Sequence, residues 1–296
     1  MADLEGQGQQ QSFLLAFSRL VFLGDSNSDN GNVFQMTGHT HPRPEAVYWQ
    51  GRYSNGKMWA DHLEDMCSRP ALNLAYGCAT IDNTIVAGTV PMPGSRPRSE
   101  VPSVVDQIEQ LRSLVGRLEP TELVFIQVGS NDLNALIDSG PTYNIKRSFT
   151  PAQLVARLVT AVRQLCEQVG ARNVVVMNVR PREDYPGVVA LGDPQKTDRT
   201  RQDTAQFNTA LANELSALQD ALGSDYRILV FDTYGFQKHT IPRLAGKFGI
   251  DLGLRPPYAA DAVPESALFV DGAHLARRAH SALALCVVRA LLDSLL

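Results

Sequence analysis

The chain has 296 residues, 44% of them apolar, enough to build a large buried core and too many for a disordered chain. Its formal net charge of −4 offers no basic face to a nucleic acid and no cationic run to an anionic membrane. Cys67, Cys78, Cys166 and Cys286 are far apart and form no C-x-x-C pair. That pattern argues against a zinc site and against a small disulfide scaffold, so they read as mostly buried thiols.

The first twelve residues are polar and carry no basic leader region. The apolar run 13–23 leads directly into Gly24-Asp25-Ser26. Removing it would remove a strand, so it reads as structure rather than as a cleaved leader, and it is too short to span a bilayer. Residues 1–18 are expected to be an N-terminal extension and residues 19–296 one domain. A cytoplasmic protein is expected, with a secreted form whose leader has been replaced as the alternative.

Strand and helix patterns then alternate. Residues 20–23 (LVFL) predict a strand ending at Gly24, and 54–66 a helix with Ser54 as N-cap. A short strand follows at 71–75, ahead of Gly77. Residues 101–118 predict a helix with Val105, Ile108, Leu111 and Leu114 or Val115 on one face. LVFIQV at 123–128 is a strand followed by Gly129. A helix over 150–169 has Thr150 as cap, Pro151 in its first turn and Gly170 as its stop. Strand 173–179, helix 200–222 stopped by Gly223, strand 226–231 and a closing helix 274–296 complete the series. Segments 37–53, 86–98 and 249–267 are irregular and rich in Pro, Gly and Arg, as functional or disordered loops are.

Such alternation predicts an α/β fold with helices on both faces of a parallel sheet. Ligands bind beyond the carboxyl ends of such strands. Gly24-Asp25-Ser26, Gly77 and Gly129-Ser130-Asn131-Asp132 each follow a strand, so they should converge on one sheet edge.

The chemistry is suggested by four of these places. A serine just past a strand can be held exposed at the rim, although Gly-Asp-Ser-Asn is also ordinary turn composition. Asp271 and His274, three residues apart, can share a turn. The histidine would then take the serine proton while the carboxylate fixes its tautomer; a solvated loop or helix cap is the competing reading. The Asn131 amide and the Gly77 N–H can donate to a developing oxyanion. Elsewhere, His39-Thr40-His41 lacks a third metal ligand, Arg277-Arg278 reads as a solvated face, and Met58, Trp59 and Leu63 read as helix core.

Together, FLGDSNSDNGN, NLAYGCATIDN, VFIQVGSNDL and FVDGAHLARRAH resemble the four blocks of the SGNH or GDSL hydrolases, in the family's order. GRYSNGKMWADHL and VPSVVDQIEQ are similar to accessory segments of its acetylesterase and lipase-like branch. The resemblance covers roughly residues 20–290. It implies a flavodoxin-like three-layer α/β/α sandwich around a parallel sheet, and a serine ester hydrolase needing no metal or organic cofactor. It makes Ser26 the nucleophile, His274 the general base and acid, and Asp271 the group that orients it. Ser26, Gly77 and Asn131 become the oxyanion donors.

Two positions depart from the family pattern. Cys78 stands where a second glycine is common, leaving the Gly77 N–H available, and Leu275 stands where proline is common. The expected substrate is a small-molecule ester with a short acyl group, such as an acetylated sugar. The candidate lid segments are poor in large apolar residues and carry His39, His41, Arg43, Glu45, Arg96 and Arg98. A lipase or phospholipase taking longer chains is the alternative, and an inactive binding protein that kept the fold is the reading from another class. No nucleic-acid partner and no transmembrane segment are expected, and the oligomeric state is open.

Overall fold

The strand residues are apolar without alternation, and the reason is that both faces of the sheet are covered. The computed structural model describes residues 16–43, 47–69, 71–94, 96–137, 140–253, 255–256 and 263–295. The extension up to residue 15, Glu45 and part of the segment 249–267 lie outside the described residues. In chain order the strands are β1 (Arg19–Gly24), β2 (Ala71–Asn73), β3 (Val86–Val90), β4 (Ser99–Glu100), β5 (Glu122–Gln127), β6 (Tyr143–Ile145), β7 (Asn173–Met177) and β8 (Arg227–Phe231). Five of them form one sheet in the order β2-β1-β5-β7-β8, with every pairing parallel.

Successive side chains of each strand go to opposite layers. Leu20, Phe22, Leu123, Phe125, Val175 and Met177 pack with the helices Trp59–Cys67 and Arg277–Leu295. Val21, Leu23, Val124, Ile126, Val174 and Val176 pack with the helices Val104–Val115, Pro151–Gln164 and Pro194–Leu222. The expected three-layer α/β/α sandwich with a central parallel sheet is therefore what the chain adopts. No helix among the described residues is long and apolar enough to cross a membrane.

From β1 the chain moves out to β2 and then returns to β5 on the other side of β1. That reversal opens a crevice at the carboxyl ends of β1 and β5, where open α/β sheets bind ligands. The helix Val104–Val115 holds the end of β1 directly. The Gln107 side chain accepts from the Gly24 N–H at 2.7 Å and donates to the Gly24 carbonyl at 2.9 Å.

Several element boundaries differ from the sequence expectation. The helix expected from Ser54 begins at Trp59, because Asp61 folds back onto the Met58 N–H. The Ser54 hydroxyl is instead buried and donates to the Leu275 carbonyl. The closing helix begins at Arg277, which leaves His274 in the loop before it. Helix 200–222 extends back to Pro194, capped by Asp193. Leu114 is exposed, and Val115 packs inward instead, with Val104, Val105, Ile108 and Leu111 on the apolar face of their helix. Segment 86–98 is not all loop: β3 pairs antiparallel with β4 and β6 in a small second sheet. Short strands without a clear alternation leave little signal in the sequence.

Gly24 has φ +141°, and a Cβ there would lie 2.1 Å from the Gln127 carbonyl oxygen. Backbone cannot yield as a flexible side chain can. Gly24→Ala is expected to lower stability by about 1–3 kcal/mol or more. Gly38→Ala, at φ +61° in open space, should cost about 1–2 kcal/mol. Thermal melts of the two variants check this order.

Candidate active site

The turn after β1 is built from its own polar side chains. The Asp25 carboxylate accepts the Asn27 backbone N–H at 2.9 Å and the Asn27 side-chain amide at 2.7 Å. Trp59 closes the turn from below, its indole N–H donating to the Asn27 carbonyl at 3.0 Å and to Gln127 Oε1 at 3.1 Å. Ser26 sits on this turn, 7% exposed.

The Ser26 hydroxyl lies 2.8 Å from His274 Nε2, and His274 Nδ1 lies 2.7 Å from Asp271 Oδ2. Asp271 Oδ1 accepts the backbone N–H groups of Ala273 and His274, at 2.8 and 2.7 Å. The Tyr48 hydroxyl donates to Asp271 Oδ2 at 2.7 Å. Burial opposes ionisation of this carboxyl, but His274 and these donors outweigh it and hold the group below the usual aspartate range. It stays a carboxylate facing the imidazole. The Tyr53 ring covers the imidazole, with centroids 5.1 Å apart.

The backbone N–H groups of Ser26 and Cys78 have no hydrogen-bond partner among the described residues, and the turn before Cys78 is tied to the end of β1 by the Tyr76 N–H, which donates to the Gly24 carbonyl at 3.0 Å. The Asn131 side chain donates one N–H to the Ala79 carbonyl at 2.8 Å, and its Oδ1 accepts the Tyr143 hydroxyl at 2.8 Å. An amide carries two N–H donors, so one remains. Gly77 behaves differently from the expectation. Its N–H donates to Asp29 Oδ2 at 2.8 Å, and so it is not free for an oxyanion. Its lack of a side chain serves Tyr53, since a Cβ at Gly77 would fall 2.2 Å from the Tyr53 hydroxyl.

A hydroxyl, an imidazole and an ionised carboxylate in one hydrogen-bonded row can carry out acyl transfer. A profile of the family GDSL-like Lipase/Acylhydrolase matches residues 20–287. The chain belongs to this family. It is similar to the thermolabile hemolysin of Vibrio parahaemolyticus, 24% identical over 73% of this chain but only 46% of that protein. It is also similar to an acetylesterase of Thermothelomyces thermophilus, 28% identical over 69% of this chain and 67% of that one. The crystal structure of phospholipase A1 from Streptomyces albidoflavus aligns over 94% of this chain and 99% of its own with a TM-score of 0.42, at 15% identity. The chain spans less than half the length of the hemolysin that it matches.

Two buried arginines at this site, Arg180 and Arg182, gave no signal in the sequence. Arg180, past β7 and 2% exposed, donates to Asn27 Oδ1 at 3.0 Å and to the Ala273 carbonyl at 2.8 Å. It thereby joins the serine turn to the histidine loop. Arg182 donates twice to Asn134 Oδ1, at 3.0 and 2.8 Å, one turn beyond Asn131. Burial pushes its guanidinium down to about 10. Their position after a strand at the same sheet edge was the available clue. The GRYSNG segment clamps the histidine loop: Asn55 accepts the Arg277 N–H at 2.9 Å, Ser54 donates to Leu275, and Arg52 makes a two-point pair with Asp61. His39 bonds to Gln35 while His41 packs edge-on against Tyr53, so the two rings have different neighbours.

Asp132 is fully buried and accepts only weakly from the Ile81 N–H, at 3.1 and 3.3 Å. Burial pushes its carboxyl up to about 7 from 3.8. A raised carboxyl favours the folded state while protonated. The stability it contributes is fully present below the unfolded value and is lost as pH rises through about 7. The melting temperature of the wild type should therefore fall between pH 5 and pH 8 by more than that of Asp132→Asn, as paired melts would show.

Proposed function

We propose that the protein is a serine esterase that works through an acyl-enzyme on Ser26. The observation that carries this reading is the unbroken row Ser26–His274–Asp271. In it, His274 Nε2 takes the hydroxyl proton as Ser26 Oγ attacks the ester carbonyl, and then gives it to the leaving alcohol. Water repeats the cycle on the acyl-enzyme. Asp271 stays ionised, fixing the tautomer and facing the imidazolium. For the oxyanion we assign the N–H of Ser26, the second N–H of the Asn131 amide, and the N–H of Cys78 in place of Gly77. Cys78 has φ +66°, and its N–H has no partner among the described residues while that of Gly77 is taken by Asp29.

For the acyl half, the acetylesterase relative is in line with the short-acyl expectation. A specific feature favours the alternative of longer chains. An apolar groove of about 400 Å³, lined by Ile137, Pro141, Tyr143, Tyr185, Val188 and Leu191, reaches Ala273 beside His274. Neither half of that lining lies in the three irregular segments on which the short-acyl expectation rested. Each methylene buried there is worth about 0.8 kcal/mol, or roughly fourfold in kcat/KM.

A series of 4-nitrophenyl esters from acetate to palmitate tests both halves. kcat/KM is expected to rise by up to about fourfold per methylene from acetate towards octanoate, and Ser26→Ala to hydrolyse none of the esters while melting as the wild type does. A maximum at acetate to butyrate would restore the short-acyl reading. Normal turnover by Ser26→Ala would overturn the nucleophile.

A further inference from the structure

The Asp271 carboxylate has its full complement of donors. Oδ1 accepts the backbone N–H groups of Ala273 and His274. Oδ2 faces His274 Nδ1 and accepts the Tyr48 hydroxyl, both at 2.7 Å. Ala273 and His274 belong to the turn that carries Asp271, and their groups come with that turn whenever it forms. Tyr48 lies 223 residues away in sequence. Among the described residues it is the one donor to this carboxylate from another part of the chain, and it shares an oxygen with the imidazole.

The segment around Tyr48 is fastened to the histidine loop. The Trp49 N–H donates to the Ser54 carbonyl at 2.7 Å and the Arg52 N–H to the Trp49 carbonyl at 3.0 Å. The Ser54 hydroxyl then reaches the Leu275 carbonyl at 3.1 Å. Val47 and Tyr48 pack on Ala267, Val270 and Ala276, residues that flank the Asp271–His274 turn in sequence. The Tyr48 ring centroid lies 5.8 Å from that of Tyr53, which covers the imidazole. Burial, and then the neighbouring carboxylate, hold the Tyr48 phenol protonated well beyond its ordinary range, so it is a neutral donor at every working pH.

A hydrogen bond donated to a carboxylate oxygen disperses its negative charge. Here the oxygen is the one that faces His274 Nδ1, so an imidazolium meets a weaker counter-charge than Asp271 alone would supply. His274 has two tasks with opposite demands. As base it takes the Ser26 proton and is helped by a strong hold on it. As acid it gives that proton to the leaving alcohol and is helped by a weak hold.

We propose that Tyr48 is a positioning residue acting through Asp271, which loosens the hold of His274 on its proton and so favours esters whose alcohol must be protonated to leave. The inference rests on the acyl-enzyme reading. Tyr48 keeps its own proton throughout, and no bond is made or broken beyond those of the acyl transfer.

The test follows the His274 ring by NMR titration of isotope-labelled histidine, its resonance assigned by its loss in His274→Asn. It also compares kcat/KM on ethyl butyrate, whose alcohol needs a proton to leave, with 4-nitrophenyl butyrate, whose phenolate leaves without one. Besides Asp271, the titratable groups bearing on His274 are the buried Asp25 and His280, and the Arg180 guanidinium sits on the Ala273 carbonyl. Burial holds the nearby Tyr53 phenol and Cys78 thiol protonated. All of these are common to wild type and Tyr48→Phe, so the difference between the two titrations belongs to Tyr48. Removing the phenol leaves more charge on Oδ2. The His274 midpoint and the acid limb of kcat/KM should therefore move up together by about half a unit to one unit. Above that limb, the ratio of ethyl to 4-nitrophenyl butyrate should fall about two- to threefold. Tyr48→fluorotyrosine, a stronger donor of nearly the same shape, should move the midpoint down. A midpoint unmoved in both variants would overturn the proposal. A proportional loss on both esters with no shift would overturn it too, and would make Tyr48 structural. A midpoint that moves as expected in a protein that hydrolyses neither ester would instead count against the acyl-enzyme reading.

Discussion

A 2.8 Å contact joins Ser26 to His274 across 248 residues of sequence, and the rest of the architecture serves to make that contact reproducible. Neither residue lies on a regular element. Each is on a turn whose backbone is held by side chains, and a turn held in this way needs ties to something stiff. Gln107 fixes the end of β1. Arg180 bridges the two turns, and the GRYSNG segment holds the chain just past His274 through Ser54 and Asn55. Removing any one of these ties would leave the Ser26 and His274 side chains present but less well aimed at each other, and proton transfer of the kind proposed is sensitive to displacements of an ångström.

Around Gly77 a single carboxylate ties several backbone groups together. Asp29 accepts four backbone N–H groups, those of Gly31, Asn32, Val33 and Gly77. Burial pushes it up to about 6, and these four donors pull in the opposite direction. By engaging the Gly77 N–H, it fastens the turn after β2 to the turn after β1. The next N–H, that of Cys78, has no partner among the described residues, and Cys78 is in a left-handed conformation unusual for a residue with a side chain. Gly88 makes this turn possible from the neighbouring sheet, because a Cβ there would overlap the Cys78 carbonyl oxygen. Gly77 is itself required for a steric reason, to admit Tyr53.

The sheet and the Ser26–His274–Asp271 row were legible because they rest on strong, local signals. Unbroken apolar runs such as LVFIQV predict strands covered on both faces, and glycines after them mark the ends that converge. Asp271 and His274 share one turn, and three residues of spacing suffice to suggest it. What escaped the sequence is long-range. Nothing in the letters around Gly77 tells that a carboxylate 48 residues away takes its N–H. Arg180 and Arg182 look like surface charges until the sheet edge buries them. The small sheet of β3, β4 and β6 is made of short segments whose pairing depends on contacts far along the chain. Helix starts shifted wherever a side chain other than the expected one supplied the cap, as Asp61 did for Ser54.

The most direct test of the account is to trap the covalent intermediate. The enzyme would be mixed with 4-nitrophenyl butyrate, quenched in acid within the first turnovers, digested and read by mass spectrometry. The account predicts a butyryl group on the peptide carrying Ser26, absent from Ser26→Ala and accumulating more in a variant slow to deacylate. Butyryl found on the Cys78 peptide instead, or turnover with no acylated peptide at any quench time, would contradict it.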